Sequence, residues 1–245
     1  MVRIKFLEND GKVYRYLLEN TDYSYLNAIR RIITYLVPTY GIDEIDFFEN
    51  DSVVVDEMLA NRIGLCPINT PLVNTGKKVT FKLEEEGPKT VYSKDFISND
   101  PEIKMVYDTI PLTKLNEGER LKLEAYANVG SGREHVKYSP AIVSYAQVYD
   151  LEITRGCESC KACFERCLVN SIKQDSTKQI LLNPKDYDYC VSCAEKCDKK
   201  CLKINSTNNY ILTIELIGQN SINDLLKLTE RYLVENIGVF KKKIK

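Results

Sequence analysis

The sequence predicts an α+β protein that carries a short cysteine-rich insertion. Segments near both ends and in the middle of the chain alternate polar and apolar residues as strands do, and two segments repeat apolar residues at helical spacing. Eight of the nine cysteines fall within residues 157–201, between two of the strand patterns. A chain of 245 residues can form one large domain or two modest domains around this insertion.

Composition and charge exclude several classes of protein. The net charge of −1 and the pI of about 6.0 argue against a chain that binds nucleic acid by itself. The first residues lack the apolar stretch of a signal peptide, and no run approaches the roughly 18 apolar residues of a membrane span. We therefore expect a cytoplasmic protein. In that reducing compartment, clustered thiols favour metal binding over disulfides.

Two strands joined by a turn are predicted first, followed by a helix. Ile4 and Phe6 alternate with charged residues, residues 9–11 (Asn-Asp-Gly) favour a tight turn, and an extended pattern resumes over residues 13–18. Residues 21–38 predict a helix that a proline closes. Its apolar stripe consists of Leu26, Ile29, Ile33 and Leu36.

The same helix carries two adjacent arginines. Thr21 or Asp22 is its candidate amino-terminal cap. Arg30 and Arg31 lie near the edge of the apolar stripe, and the pattern alone favours a solvated basic face for them.

The middle of the chain has a mixed pattern. Residues 42–68 predict a strand, a turn and a short helix, and residues 77–87 and 119–130 predict half-buried strands. Cys66 stands in an apolar stretch and is expected to be a small core residue.

The last segments predict a strand at residues 210–217 and a helix at residues 221–240. Ser221 and Asp224 form a capping pattern at the start of this helix. Its apolar face consists of Ile222, Leu225, Leu226, Leu233, Ile237 and Phe240. The pattern alone leaves two interpretations open, an ordinary core helix and a contact with another chain.

The cysteine segment, residues 157–201, contains two closely spaced runs. The first has the spacing of the bacterial ferredoxin motif for an iron–sulfur cluster, and the second has one extra residue between its second and third cysteines. The runs are Cys157, Cys160, Cys163 and Cys167, and then Cys190, Cys193, Cys197 and Cys201. The proline that usually follows the fourth cysteine is replaced by Leu168 and by Leu202.

By analogy with two-cluster ferredoxins, the last cysteine of each run would serve the cluster of the other run. One cluster would then be held by Cys157, Cys160, Cys163 and Cys201, and the other by Cys190, Cys193, Cys197 and Cys167. We expect one or two clusters of the 4Fe-4S form, with 3Fe-4S as the alternative at one site. Two zinc sites of four thiolates, or disulfides, remain alternatives, but the compact runs favour iron–sulfur.

The sequence contains no recognisable catalytic centre. The glycine-rich nucleotide-binding loops and the zinc-protease motif are absent from it. His135 is the single histidine and is expected in a loop or at the edge of a strand. With one histidine, and one cysteine outside the cysteine-rich segment, the chain offers almost no residues for a Cys–His pair or a Ser–His–Asp triad. We predict no catalytic residues in this chain.

Outside the cysteine segment, the sequence resembles the assembly-platform subunit of archaeal and eukaryotic RNA polymerases. The archaeal form is designated by the letter D, and the bacterial relative is the amino-terminal domain of the alpha subunit. Many archaeal members of this family carry a ferredoxin-like insertion at this place. The resemblance is carried by NAIRR at 27–31, VPTYGIDEIDFFENDS at 37–52, DEMLANRIGLCPI at 56–68, VYSKDF at 91–96, residues 110–140 and the terminal helix.

The resemblance implies three domains. An alpha-subunit-like dimerisation domain would consist of residues 1–44 plus 208–245. A mixed α/β platform domain, residues 45–154, would be inserted into it. Residues 155–207 would form the ferredoxin-like iron–sulfur domain.

The resemblance also implies a function. The chain would be a non-catalytic platform subunit of DNA-directed RNA polymerase, a nucleotidyltransferase complex, and would meet DNA only through that complex. It would pair with the smaller alpha-like subunit (designated L) through Leu225, Leu226, Leu233 and Ile237. Arg30 and Arg31 would face the two large catalytic subunits, and the loop at residues 130–138 is a further candidate contact.

The clusters are predicted to be structural, with regulation of assembly as a hypothesis. The alternative function is a ferredoxin-type electron carrier or a subunit of a redox enzyme. Identification of the chains that co-purify with the protein would separate these alternatives.

Overall fold

The computed structural model describes residues 2–72, 76–153, 172–174, 180–182 and 202–244. Within these ranges the chain is α+β, as predicted, with antiparallel strand pairs. The helices are α1 (Tyr23–Tyr35), α2 (Asp56–Gly64) and α3 (Ile222–Ile244). The strands are β1 (Arg3–Asn9), β2 (Val13–Glu19), β3 (Pro38–Asn50), β4 (Val79–Glu86), β5 (Lys89–Tyr92), β6 (Ile97–Ser98), β7 (Pro111–Leu115), β8 (Arg120–Ser131), β9 (Ala141–Ile153), β10 (Ile172–Gln174), β11 (Ile180–Leu182) and β12 (Leu202–Leu216).

The first two strands form the predicted hairpin. Gly11 has a φ of +95°, a conformation that glycine adopts without steric cost. Its N–H donates to the Asn9 side-chain oxygen at 2.7 Å, and the N–H of Val13 donates to the Asp10 carboxylate at 2.8 Å. The Asn-Asp-Gly turn signal therefore acts through side-chain bonds to the backbone of the turn.

Helix α1 begins and ends where the sequence predicts. Of the two candidate caps, Asp22 fills the role, because its carboxylate accepts the N–H of Ser24 at 2.7 Å. Leu26 and Ile33 are fully buried, so the predicted apolar stripe faces inward. Pro38 lies beyond the helix and begins β3.

A hydrophobic core lies between a sheet and helix α2. The sheet has the strand order β3-β8-β4-β6, and Phe81 of β4 pairs with Ala125 of β8. Leu59 and Ile63 of α2 are buried in this core. Cys66 is buried there too, as predicted, and burial raises the pKa of its thiol to about 11.

A second four-stranded sheet has the order β1-β2-β12-β9. Strands β9 and β12 are therefore hydrogen-bonded neighbours, although the cysteine segment separates them in sequence. The Gln147 side-chain amide donates to the Thr207 carbonyl at 2.7 Å across this pair. Within the segment, β10 and β11 form an antiparallel pair, in which Ile172 lies opposite Leu182.

Helix α3 is four residues longer at its carboxyl end than the predicted helix, because it continues to Ile244. The positive charges of the three lysines at 241–243 interact favourably with the negative end of the helix dipole. The sequence has no proline there to stop the helix. The predicted cap is present. The N–H of Asp224 donates to the Ser221 hydroxyl at 3.2 Å, and that hydroxyl donates to the Asp224 carboxylate at 2.7 Å.

Two compact units can be distinguished by contacts within the chain. One contains residues 1–8, 15–26 and the described part of 145–213, and the other contains the described parts of 9–14, 27–144 and 214–245. The three-domain division that the resemblance implies uses other boundaries and stays a prediction. In the described ranges, no helix has the length and apolar character needed to cross a membrane.

Candidate subunit interface

Two of the segments that the sequence singles out, the arginine-bearing helix and the loop around His135, are in contact. Residues 131–136 form a tight loop after β8, in which the Ser131 N–H donates to the Glu134 carboxylate at 2.8 Å. The N–H of Arg133 donates to the carbonyl of Tyr35, at the end of α1, at 3.1 Å. A Cβ at Gly132 would lie 2.0 Å from the Thr34 carbonyl oxygen. Glycine is therefore required for this close approach of loop and helix.

Each of the two segments in contact carries an exposed arginine. Arg31 is exposed on α1, and Arg133 is exposed on the loop. Neither guanidinium forms an ion pair or a hydrogen bond within the described ranges, which leaves both available to carboxylates or carbonyls of a partner. Arg30 differs, because its guanidinium donates twice to the Asn27 side-chain oxygen, at 2.8 and 3.3 Å.

The loop is held to its own sheet by the residues that follow it. The Lys137 ammonium donates to the Ile42 carbonyl at 2.7 Å and to the Asp43 carboxylate at 3.0 Å. The bond from Lys137 is the main cause that lowers the pKa of Asp43. His135 has a local role, since its Nδ1 accepts the N–H of Lys137 at 3.1 Å. Its predicted place in a loop is confirmed.

Helix α3 presents an apolar surface that the described part of the chain leaves uncovered. We call this surface the α3 stripe; its members are Leu226, Leu233, Ile237, Phe240 and Ile244, and of these only Leu233 is half-buried. Phe240 and Ile244 expose 65% and 68% of their surface, and Ile237 exposes 48%. Spacings of three, four and seven residues put all five on one side of the helix, as in a coiled-coil seam. Leu225, in contrast, is fully buried within the chain, so it lies outside this surface.

The start of α3 is fixed to the body of its unit by buried polar bonds. The Asn220 side-chain amide donates to the Thr70 carbonyl at 2.9 Å, and the Thr70 N–H donates to the Gln219 carbonyl at 2.6 Å. Gln219 is only 3% exposed, and its amide donates to the Ser139 carbonyl at 3.3 Å. These bonds fix the position of the first turn of α3, whereas the stripe residues near its carboxyl end remain exposed.

The eight cysteines of the predicted clusters lie outside the described residues. They are Cys157, Cys160, Cys163, Cys167, Cys190, Cys193, Cys197 and Cys201. Among the residues that the structure does describe, no group of three or more His, Cys, Asp or Glu side chains is arranged to hold a metal ion. The cluster assignment therefore rests on the spacing in the sequence.

The sequence alone does not predict the contact between Gly132 and Thr34, or the exposed Arg133 beside that contact. The available signal was the Gly-Ser-Gly that opens the loop, which indicates a close backbone approach but does not identify its partner. Contact between segments about 100 residues apart is a tertiary property and leaves no periodic pattern.

Comparison with known proteins gives the family. The sequence profile described as the RNA polymerase Rpb3/RpoA insert domain matches residues 43–144, which include α2 and the sheet that contains β3, β8 and β4. This match, together with the relatives described next, assigns the chain to the class of alpha-like RNA polymerase subunits.

Three relatives that match most of the chain identify the family more closely, and each of the three is named DNA-directed RNA polymerase subunit Rpo3. The protein of Archaeoglobus fulgidus is 33% identical, over 93% of this chain and 92% of the relative. That of Pyrococcus furiosus is 30% identical over 98% and 95%, and that of Methanobrevibacter smithii is 36% identical over 86% and 82%. The chain belongs to the Rpo3 family, the archaeal form of the platform subunit. The predicted family, and with it the predicted place in a nucleotidyltransferase complex, is confirmed.

Proposed function

We propose that this chain is the assembly platform of DNA-directed RNA polymerase. It pairs with the smaller alpha-like subunit (L), and the pair recruits the two large subunits that carry the catalytic residues. The chain supplies shape and binding energy, and nucleotidyl transfer belongs to the complex. Its family membership supports this function, and the α3 stripe is the single structural observation that carries it.

The α3 stripe is suited to pairing because large apolar side chains are exposed on one side of the helix from Ile237 to Ile244. Burial of apolar surface contributes roughly 25 cal/mol per Å² removed from water, so five large side chains on one seam give a strong drive to associate. Of the four residues predicted for this contact, Leu226, Leu233 and Ile237 have side chains that are at least partly accessible to a partner. Phe240 and Ile244 extend the same contact surface.

The surface formed by Arg31 and Arg133 is the proposed contact with a large subunit. Both side chains are exposed, and the loop is held in place by Gly132 and by Lys137. Arginine presents several donors in a fixed plane, which suits carboxylates and backbone carbonyls of a protein partner. Arg30 takes a supporting role, because its donors already bind Asn27.

We propose iron–sulfur clusters on the cysteine segment, and the chemistry of the donors is the reason. Eight thiolates suit two clusters of four ligands each, with Cys157, Cys160, Cys163 and Cys201 at one and Cys190, Cys193, Cys197 and Cys167 at the other. The clusters hold the segment folded, and their loss on oxidation lowers assembly. The neighbouring strands β9 and β12, which flank the segment, support its description as an insertion.

Co-purification tests the platform function. The chain is produced with the other polymerase subunits of its source organism, and the chains it retains are identified by mass spectrometry. Ile237→Asp should abolish retention of the smaller subunit, whereas Ile97→Asp, which changes a residue that is 72% exposed on β6, should not. A wild-type chain that retains no polymerase subunit contradicts the proposal.

Iron and sulfide analysis of anaerobically purified protein tests the clusters. Replacement of the eight cysteines by serine should lower recruitment of the large subunits. Zinc in place of iron contradicts the cluster assignment. Wild-type assembly by the variant without these cysteines contradicts both the structural and the regulatory role.

A further inference from the structure

The exposed end of the α3 stripe is bordered by lysines on both sides. Lys241 follows Phe240, and Lys243 precedes Ile244. Successive helical residues are about 100° apart, so these two lysines lie on opposite borders of the stripe. Residues 236–244 contain no Asp or Glu. Both lysines are exposed, and neither forms an ion pair within the described ranges.

The helix dipole does not account for this arrangement. Positive charge near the carboxyl end of a helix is stabilising wherever it lies around the axis. Lys242, on the face opposite the stripe, can supply this stabilising charge by itself. Lys241 and Lys243 occupy the border positions, where charge decides which helices pair in a coiled-coil seam.

A second copy of this chain is a poor occupant for the stripe. Parallel self-pairing would put the bordering lysines of one copy against those of the other, and like charges across an interface are unfavourable. Antiparallel self-pairing would bring Glu230 toward the two lysines of the other copy, but Glu230 lies seven residues before Ile237 and therefore within the stripe, so pairing would bury its carboxylate. Half of the bordering lysines would still lack a partner.

We propose that Lys241 and Lys243 select the occupant of the α3 stripe: an amphipathic helix of another chain whose apolar seam is bordered by carboxylates. This inference rests on the proposed pairing function of the stripe and adds the chemistry of the partner. The apolar residues supply affinity, and the lysines exclude a second copy and orient the correct chain.

Two designed peptides test this selection against the full-length chain. Both are helices of 23 residues, the length of α3, with the same leucine seam. Glutamates border the seam in one peptide, and lysines border it in the other. Binding is measured by fluorescence anisotropy at about 0.05 M and about 0.5 M salt, because screening weakens exposed charge pairs.

We expect the glutamate-bordered peptide to bind about tenfold tighter at low salt, and this advantage to shrink at high salt. The double variant Lys241→Glu/Lys243→Glu should reverse the preference. The matched control Lys104→Glu/Lys114→Glu changes two exposed lysines elsewhere and should keep it.

Three results would overturn the inference. The first is equal binding of the two peptides, and the second is a preference for the glutamate-bordered peptide that the Lys241→Glu/Lys243→Glu variant retains. The third is a homodimer of the wild-type chain that the Ile237→Asp substitution dissociates. The platform function is read out separately by the co-purification experiment. Failure to retain polymerase subunits defeats that function, whereas equal peptide binding defeats only the selection by lysines.

Discussion

The aromatic ring of Tyr138 lies against the backbone of Gly130: a Cβ at residue 130 would be 2.6 Å from ring carbons Cε2 and Cζ. Gly41, on the neighbouring strand, meets the same ring, and its Cβ would lie 2.8 Å away. Two glycines on adjacent strands thus make the notch into which Tyr138 fits. This fit fixes the end of the loop that carries Arg133.

Replacement of Gly130 by alanine should therefore destabilise the protein. The new methyl group overlaps a buried ring, so either the ring or the strand must shift, at a cost of about 1–3 kcal/mol in the free energy of unfolding. Denaturant titration measures this change. Gly238→Ala is the control, because no atom lies within 4 Å of the added methyl group in α3 and alanine favours the helix. Equal effects of the two substitutions would contradict the packing argument.

Replacement of Gly132 by alanine should detach the loop from α1. The Cβ would lie 2.0 Å from the Thr34 carbonyl oxygen, a backbone atom that cannot rotate away. Amide hydrogen exchange at Arg133 reports the result, because its N–H donates to the Tyr35 carbonyl in the wild type. We expect faster exchange there and weaker recruitment of a large subunit. Unchanged exchange would mean that the loop does not depend on this glycine.

Lys137 should contribute more to stability than its partner Asp43. The Lys137 side chain is 13% exposed and also donates to the Ile42 carbonyl, whereas the Asp43 side chain is half exposed. Lys137→Met should cost about 1–2 kcal/mol in the free energy of unfolding, since it leaves a carbonyl without its donor. Asp43→Asn should cost less than about 1 kcal/mol. The reverse order would contradict the assignment.

The bond between Lys137 and Asp43 predicts that the free energy of unfolding depends on pH. The bond from Lys137 lowers the pKa of Asp43 from its ordinary value of 3.8, so the folded state favours the carboxylate. The resulting stability is present above pH 3.8 and is lost as the pH falls through the lowered pKa. The stability difference between the wild type and Lys137→Met should therefore shrink in acid. Unfolding curves of both proteins between pH 7 and pH 2 measure it, and a constant difference contradicts the coupling.

Cys66 should react slowly with iodoacetamide in the folded protein. Burial raises the pKa of its thiol from 9.0 to about 11, so at pH 8 the reactive thiolate is about a hundredfold scarcer than in the unfolded chain. The rate should rise about tenfold per pH unit until about pH 11. Peptide mass spectrometry after a timed reaction isolates this residue from the other cysteines. An equal rate in the folded and the denatured protein would contradict the burial of Cys66.

Local signals in the sequence predict the elements of the fold well. The turn at Gly11, the cap at Asp22 and the cap at Ser221 each depend on residues within three positions, and each is present. The extension of α3 to Ile244 is not predicted, because three consecutive lysines after an apolar face are equally typical of a solvated tail.

The candidate interface is less predictable because it depends on distant residues. The apolar periodicity of α3 predicts a contact face, but it does not separate the buried Leu225 from the exposed Leu226. Likewise, the pattern around Arg30 and Arg31 does not reveal that Asn27 binds one of them. The helix stripe follows from sequence spacing, whereas the division of that stripe between core and surface follows from tertiary packing.

The position of β9 and β12 has a consequence for the modularity of the chain. Strand β9 ends at Ile153, and β12, its neighbour in the sheet, begins at Leu202. Excision of everything between these two points leaves two ladder partners that a short hairpin turn can rejoin, so the hydrogen bonds of the sheet are preserved. The cysteine segment can thus be gained or lost as one unit, while the two strands that flank it keep their places in the sheet.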